Sequence, residues 1–441
     1  MKLVNIHKHI LILGITLFFA HNSFPQNWSL QQCIDSAESH NKNLQIAKNN
    51  ITLSGQKEKE AKANLLPKLS ANTDYKYFTN LPYQLMPLST FNPSAQEGEF
   101  KEAQFGVPHN INANLQLAIP LYNPQIYGGI EATKIASEIS VIQYDKNKEQ
   151  ISFDITNLYY NAQILQAQLT FLNSNLANAE RLYTNLKLLQ EQLLATGTDV
   201  EKVQLLIAQL NTQKSTVTSK LTQVLNTLKF IIGIPNEQDF DIEYTISQSQ
   251  EIEYSYHNTL DARLIQSQKK LLQSEFRTLN NSRYYPTVNL IGSYGTTGFG
   301  YNKSPNSFLN FYTIGFAGLQ VTYPIYNGSV NLRKIDQKQI ELSNYEIKFQ
   351  LIQDQNTMQI TNATLQRTTT YLVIETSKQQ IQLAQNIYNN SILQQKQGIV
   401  TLTEVLLADN ALREAQQTNL SAIIEYLKAD LELKKWTGNI K

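Results

Sequence analysis

Leu115-Gln116-Leu117-Ala118-Ile119-Pro120-Leu121-Tyr122-Asn123 recurs two hundred residues later as Leu319-Gln320-Val321-Thr322-Tyr323-Pro324-Ile325-Tyr326-Asn327. Five of the nine residues are identical, and the differences are mostly apolar exchanges. Working outward, Leu65-Leu66-Pro67 precedes one extended segment as Tyr284-Tyr285-Pro286 precedes another. The flanking helical patterns recur in the same order. The chain therefore reads as a duplicated unit of helix, strand, loop, strand, long helix, tight turn and helix.

Four segments alternate with the two-residue period of a strand. Leu69, Ala71, Thr73, Tyr75 and Tyr77 share one face, with Lys68, Ser70, Asn72, Asp74 and Lys76 on the other. Ile111, Ala113, Leu115, Leu117 and Ile119 alternate with Asn110, Asn112, Asn114 and Gln116. A third segment sets Val288, Leu290 and Tyr294 against Thr287, Asn289 and Ser293, and a fourth runs through Ala317, Leu319, Val321, Tyr323 and Ile325. Each is long enough to cross a bilayer when tilted. In a membrane, Leu115, Leu117, Ile119, Leu319 and Val321 face lipid, while Asn112, Asn114, Gln116 and Gln320 face a lumen.

The remainder is mostly helix. Ile151, Ile155, Leu158, Ala162, Leu165, Leu169, Leu172, Leu176, Ala179, Tyr183 and Leu186 keep a strict 4,3 spacing, the seam of a coiled coil. Pro124 suits the first helical position, with Asn123 as its cap, and the helix is expected to run to Gly197. Its second-half counterpart is expected between Asn327 and Gly398, with Thr and Gln in a less regular seam. Each such helix extends for about 100 Å at ~1.5 Å per residue. Gly197 and Gly398 are expected in the left-handed conformation where each helix stops. Thr198 with Glu201, Thr401 with Glu404, and Ser29 with Gln32 fit the reciprocal cap S/T-x-x-E/Q, with Trp28 stapled onto Cys33. Residues 80–109 read as a loop.

The domain division is residues 1–26 as a secretory signal cleaved between 20 and 26, 27–232 as the first repeat, 233–256 as an acidic connector, and 257–441 as the second repeat. Lys2 and Lys8 precede an apolar run from Ile10 to Ala20 that is too short for a transmembrane helix. Leu30-Gln31-Gln32 lacks the small residues of a lipidation site before Cys33, so Cys33 reads as a buried apolar residue.

Lys plus Arg number 37 and Asp plus Glu 36, a net charge of +1 that gives no field for holding nucleic acid. The lone cysteine excludes an internal disulfide and a thiolate metal cage. No catalytic motif, cofactor motif or metal-ligand spacing is present, so the chain does not read as an enzyme. Four strands cannot close a membrane barrel, because open edges leave backbone groups unpaired in lipid. Subunits must share one, with eight strands in a dimer or twelve in a trimer. The fold class is thus a membrane β-barrel joined to a long α-helical barrel. A secreted trimeric coiled-coil stalk or adhesin also accounts for the heptads and the signal, but not for lipid-length strands occurring twice.

Ser29-Leu30-Gln31-Gln32-Cys33-Ile34-Asp35-Ser36-Ala37 with Asn41 and Asn43, the strand-Pro-Tyr-Asn duplication and the turns at Gly197 and Gly398 together resemble the outer-membrane efflux protein (TolC) family. So does the echo of Leu228-Lys229-Phe230-Ile231-Ile232-Gly233 in Leu433-Lys434-Lys435-Trp436-Thr437-Gly438. The resemblance implies a homotrimer with a twelve-stranded barrel in the outer membrane of a Gram-negative-type envelope and helices in the periplasm. It implies a passive conduit for efflux or type I secretion, working with a periplasmic adaptor (membrane fusion protein) and an inner-membrane transporter. By the same resemblance Thr196, Gly197, Thr198, Gly398, Ile399 and Val400 meet the adaptor at the periplasmic tips. Glu404 takes the place of an aperture carboxylate, and Leu407 stands where a second acid is usual.

Overall fold

The computed structural model describes residues 27–235, 237–246 and 253–440. The signal assigned to residues 1–26 lies outside them. Helices α1 (Leu30–His40) and α2 (Lys42–Ala63) lead into β1 (Lys68–Tyr77), β2 (Tyr83–Pro87), β3 (Phe100–Gln104) and β4 (His109–Tyr122). Helices α3 (Pro124–Glu191) and α4 (Gly197–Ile232) complete the first half. The second half follows as α5 (Leu260–Tyr284), β5 (Thr287–Lys303), β6 (Asn306–Thr322), α6 (Val330–Lys396) and α7 (Leu402–Trp436). Among the described residues no helix is long and apolar enough to cross a membrane.

Two compact units form, each drawing on both halves of the sequence. The first takes the described residues of Met1–Ile51, Ser140–Ile265 and Lys348–Lys441 and is helical apart from one bridge, Trp28 to Ile242. The heptad seam is its spine, and Ile155, Ala162, Leu172, Ala179 and Leu186 are all buried. Ser29 caps α1 reciprocally with Gln32, and Trp28 packs on the cluster that contains the fully buried Cys33. Burial pushes the Cys33 thiol up to about 12, so it stays protonated and inert.

The described residues of the connector include several docked onto the helices. The Tyr159 hydroxyl bonds the carbonyls of Trp28 and Glu243 at 3.0 and 3.1 Å. The Tyr254 hydroxyl donates to Asp430, which also pairs with Arg367 at 3.2 Å and with Lys434 at 3.1 Å. The repeat is visible in packing. Gly233 (φ 78°) abuts His40, and Gly438 (φ 74°) abuts His257. A Cβ at Gly233 would lie 2.9 Å from the His40 carbonyl oxygen, and one at Gly438 3.2 Å from that of His257. The positive φ favours glycine at both sites, and at Gly233 the space requires it as well.

The second unit, Thr52–Ile139 with Gln266–Ile347, holds the strands. β1, β4, β5 and β6 form one antiparallel sheet in the order β1-β4-β5-β6, leaving β1 and β6 as open edges. Pro67 and Pro286 each stand immediately before a strand, as their matching contexts implied. The third and fourth strands are longer than their alternation indicated, 17 residues each. The glycine-rich stretch from Gly292 to Gly300 hides the two-residue period, yet pairs without a break. β6 ends at Thr322, before Pro324, which has no N–H to donate. Residues 80–109, expected as a loop, contain the β2–β3 hairpin. Where α3 passes α5, a Cβ on Gly128 would lie 1.9 Å from the Thr278 hydroxyl oxygen, so glycine permits the close approach. Arg277 pairs with Glu131 at 2.7 Å and Lys338 with Glu275 at 2.9 Å, tying α5 to α3 and to α6.

Helix ends supply the corrections. Pro124 does open α3, and the Asn123 side chain accepts the Gln125 N–H at 2.9 Å. α6, however, starts at Val330 rather than just after Asn327, because Gly328 (φ 66°) and Ser329 (φ 65°) are left-handed and interrupt the path. α3 ends at Glu191, short of Gly197. Its left-handed residue is Leu193 (φ 60°), whereas Gly197 is the first residue of α4. The cap at Thr198 and Glu201 is replaced by one formed two residues earlier, by Thr196 and Asp199.

Candidate functional site: two helical turns and a two-faced sheet

Both helical turns end in the same hydrogen-bonded motif. After α3, Leu194 N donates to the Leu189 carbonyl at 2.8 Å and Leu193 N to that of Gln190 at 3.0 Å. After α6, Ile399 N donates to Gln394 at 2.9 Å and Gly398 N to Gln395 at 3.0 Å. These are paired closures around one left-handed residue. They place Leu193 with Gly398, Leu194 with Ile399, Ala195 with Val400, Thr196 with Thr401 and Asp199 with Glu404. The sequence pairing of Gly197 with Gly398 was out of step by several residues.

One buried cluster gathers Leu186, Val200, Tyr388, Leu402 and Val405, so the two turns lie side by side at one end of the first unit. Ala195 and Val400 pack against it. Val400 is therefore half-buried, and the other proposed contact residues, Thr196, Gly197, Thr198, Gly398 and Ile399, are exposed. Leu193 is 93% exposed and Leu194 72%, and sequence reasoning missed both. The signal was present: Thr196-x-x-Asp199 is itself a cap pattern, and it aligns Leu194 with Ile399.

The two caps differ in strength. The Thr196 hydroxyl donates to Asp199 Oδ2 at 2.7 Å and accepts the Asp199 N–H at 3.2 Å, while Thr196 N donates back to Oδ2 at 3.4 Å. The Thr196 hydroxyl holds the Asp199 carboxyl below its usual range, and Lys202 at 3.7 Å assists. Thr401 accepts the Glu404 N–H at 3.4 Å, but the box expected there is only half formed, because the return bond from Thr401 N to the Glu404 side chain is not made. Glu404 and Leu407 are exposed, three residues apart on one face of α7. Deeper in the unit, Asp409 is buried and pairs with Arg413 at 2.9 Å; burial raises its carboxyl, opposed by Arg413.

The sheet has two unlike faces. Register aligns Leu115 with Tyr294, Leu117 with Gly292, Ile119 with Leu290 and Leu319, and Val288 with Val321. Leu115, Leu319 and Val321 are exposed in the single chain, and Leu117 and Ile119 partly so. On the opposite face Asn114 aligns with Asn72, and Asn112 donates to Asp74 at 3.1 Å. A Cβ on Gly295 would sit 2.6 Å from the Asn114 Cα, so glycine lets the two strands approach closely on this polar face. Aromatic rings gather at both ends of the strands. Tyr75 and Tyr77 meet His109 at one end, and Tyr122 meets Tyr127 and Tyr285 at the other.

Residues 273–439 match the profile of a family described as outer membrane efflux protein. The fold is that of solved outer-membrane proteins and channels. VceC of Vibrio cholerae superimposes with a TM-score of 0.73 at 15% identity, over 93% of this chain and 96% of that one. CmeC of Campylobacter jejuni gives 0.74 at 14%, over 93% and 85%. MtrE of Neisseria gonorrhoeae gives 0.71 at 16%, over 93% and 89%. No curated protein matches the sequence. The outer-membrane efflux reading made from the sequence accords with the family profile, and neither comparison supports a secreted stalk.

Proposed function

We propose that three copies of this chain close a twelve-stranded barrel in the outer membrane and form the exit duct of a tripartite efflux or type I secretion system. The observation that carries this is the sheet. It has two open edges, one apolar face and one amide-rich face, and aromatic rings at both ends. Along β4, Ile111 to Tyr122 spans about 28 Å at ~3.4 Å per residue and ~40° tilt, close to the apolar band of an outer-membrane barrel. Leu115, Leu117, Ile119, Leu319 and Val321 face lipid. Open edges in lipid leave N–H and C=O groups unpaired at several kcal/mol each, so a lone chain is not a stable membrane form. Mass measurement of the detergent-solubilised protein tests this: three chains are expected, and a stable monomer overturns it.

The helical turns are the adaptor contact. Leu194 and Ile399 are equivalent exposed apolar residues beside Thr196, Gly197, Thr198 and Gly398, and Leu193 adds a third. Val400 supports the turn from beneath through the cluster it packs against. Glu404 and Leu407 line the aperture of the same end, and an inner-membrane transporter supplies the cargo and the energy. Replacing Leu194 and Ile399 together by Asn should abolish export at unchanged trimer level. Full export from that variant places adaptor docking elsewhere.

A further inference from the structure

The two halves of the repeat leave the sheet differently. After β4 the chain passes Tyr122 and Asn123 straight into α3, and Pro124 is buried. After β6 it passes Tyr323 to Asn327 and then two left-handed residues, Gly328 and Ser329, before α6 begins. This detour borders a cavity of about 310 Å³. Thr287 pairs with Thr322, so the entry to β5 and the exit from β6 lie side by side. Arg283 and Tyr284 wall the cavity from the first, and Tyr323, Tyr326, Asn327 and Ser329 from the second. Ile325 and Tyr326 stand out from it, 91% and 82% exposed.

The charge around this cavity is one-sided. From Phe276 to Ile335 the chain has no Asp or Glu and carries Arg277, Arg283, Lys303, Arg333 and Lys334. Arg277 is paired with Glu131 and Arg333 with Asp336. Arg283 makes no ion pair among the described residues, and its guanidinium stands 5.3 Å from the centre of the Tyr284 ring. The matching position in the first half is Asn64, a neutral residue that accepts a bond from Lys68 at 3.0 Å. The cavity with its cation therefore belongs to the second half alone.

We propose that this cavity holds the phosphate of an anionic phospholipid at the helix-side end of the barrel proposed above, on which the inference rests. The level is right, because the strands end here beside Tyr122, Tyr127 and Tyr285, and tyrosines collect at the headgroup level of a membrane. The path is continuous. Leu319 and Val321 are exposed on the apolar face of β6 just before Thr322, so an acyl chain laid along them brings its headgroup to the cavity. The volume lies at the lower end of the ~300–1,000 Å³ of small-ligand sites, which suits a headgroup and excludes the acyl chains. A guanidinium matches the oxygens of a phosphate as a fork. Asn327 and Ser329 offer hydrogen bonds to headgroup hydroxyls, and no acid lines the cavity to receive an ammonium. A glycerol headgroup is thus favoured over choline.

Native mass measurement of the solubilised protein, stripped of lipid and then given palmitoyl-oleoyl phosphatidylglycerol or phosphatidylcholine, tests this. One phosphatidylglycerol per chain should be retained in preference to phosphatidylcholine. Arg283→Gln should weaken that retention about tenfold, the loss of one charge-assisted contact. Arg283→Lys should lose less, and Lys303→Gln, at the opposite end of β5, should change nothing. Equal retention by Arg283→Gln, or of the two lipids by the native protein, overturns the proposal. So does displacement of the lipid by an equal concentration of inorganic phosphate, which makes the cavity a site for a free anion. Failure of Arg283→Gln to assemble overturns it as well, in favour of a contact with the adjoining copy. The native protein separates this inference from the reading beneath it: a trimer that retains no lipid removes the site alone, and a protein that is not trimeric removes the barrel too.

Discussion

Leu193 and Gly398 occupy the same place in the two helical turns, both in the left-handed region at φ 60° and 71°. Gly398 adopts that conformation without steric cost. Leu193 does not, because its Cβ crowds the backbone by about 1–2 kcal/mol. One turn thus carries strain that the other avoids, and the strained residue projects its side chain into solvent. Strain of this kind persists where a side chain at that point has a use.

Exchanging the two residues tests that asymmetry. Leu193→Gly should stabilise the first turn by about 0.5–1 kcal/mol, the relief of strain less the added freedom of the unfolded chain. Gly398→Leu should destabilise the second by about 1–2 kcal/mol. Thermal unfolding of the detergent-solubilised protein reads both. Should Leu193→Gly also lower export while raising stability, the leucine side chain itself makes the adaptor contact.

The cap of α4 should depend on pH. The Thr196 hydroxyl lowers the Asp199 pKa in the folded state, so its stabilisation is complete above the unfolded Asp value of about 3.9. It is lost as pH falls through the lowered folded value. Amide exchange at the start of α4 should therefore speed up at acid pH, and Asp199→Asn should flatten that response. An unchanged profile would mean that the carboxylate does not hold the cap.

Glu404 makes only half of its expected cap, since its side chain does not return a bond to Thr401 N. Glu404→Gln should leave trimer stability within about 0.5 kcal/mol, as for surface substitutions generally. Three carboxylates drawn close attract cations, so the same change should reduce cation preference and divalent block in planar bilayers. Unaltered conductance and block would leave Leu407 as the residue that sets the constriction.

On the sheet, Leu117→Arg should cost about 2–4 kcal/mol if that face meets lipid near mid-bilayer, and Asn114→Arg far less. Assembly yield into outer-membrane vesicles reports the difference. Equal loss from both substitutions would show that the faces do not divide lipid from water.

The sequence by itself determined the duplication, the strand–helix order, the buried heptad seam and the two-faced sheet. Those are written in local periods of two and of seven, which survive without tertiary contacts. It located Pro124 as a helix start and Cys33 as a core residue for the same reason, since each rests on neighbours within one turn. Tertiary structure decided the rest. Ending α3 at Glu191, with the turn at Leu193 instead of Gly197, needs a leucine in a conformation that no propensity favours, and Ala195 and Val200 of that turn pack into one cluster with Leu402 and Val405 of α7. The pairing of β5 through its glycines depends on Phe311 lying over Gly298 and Tyr294 over Gly315, ring contacts that belong to neighbouring strands. Val400 reads as a surface residue in sequence and packs against the core in space, because burial is a property of the neighbours that a chain position acquires on folding.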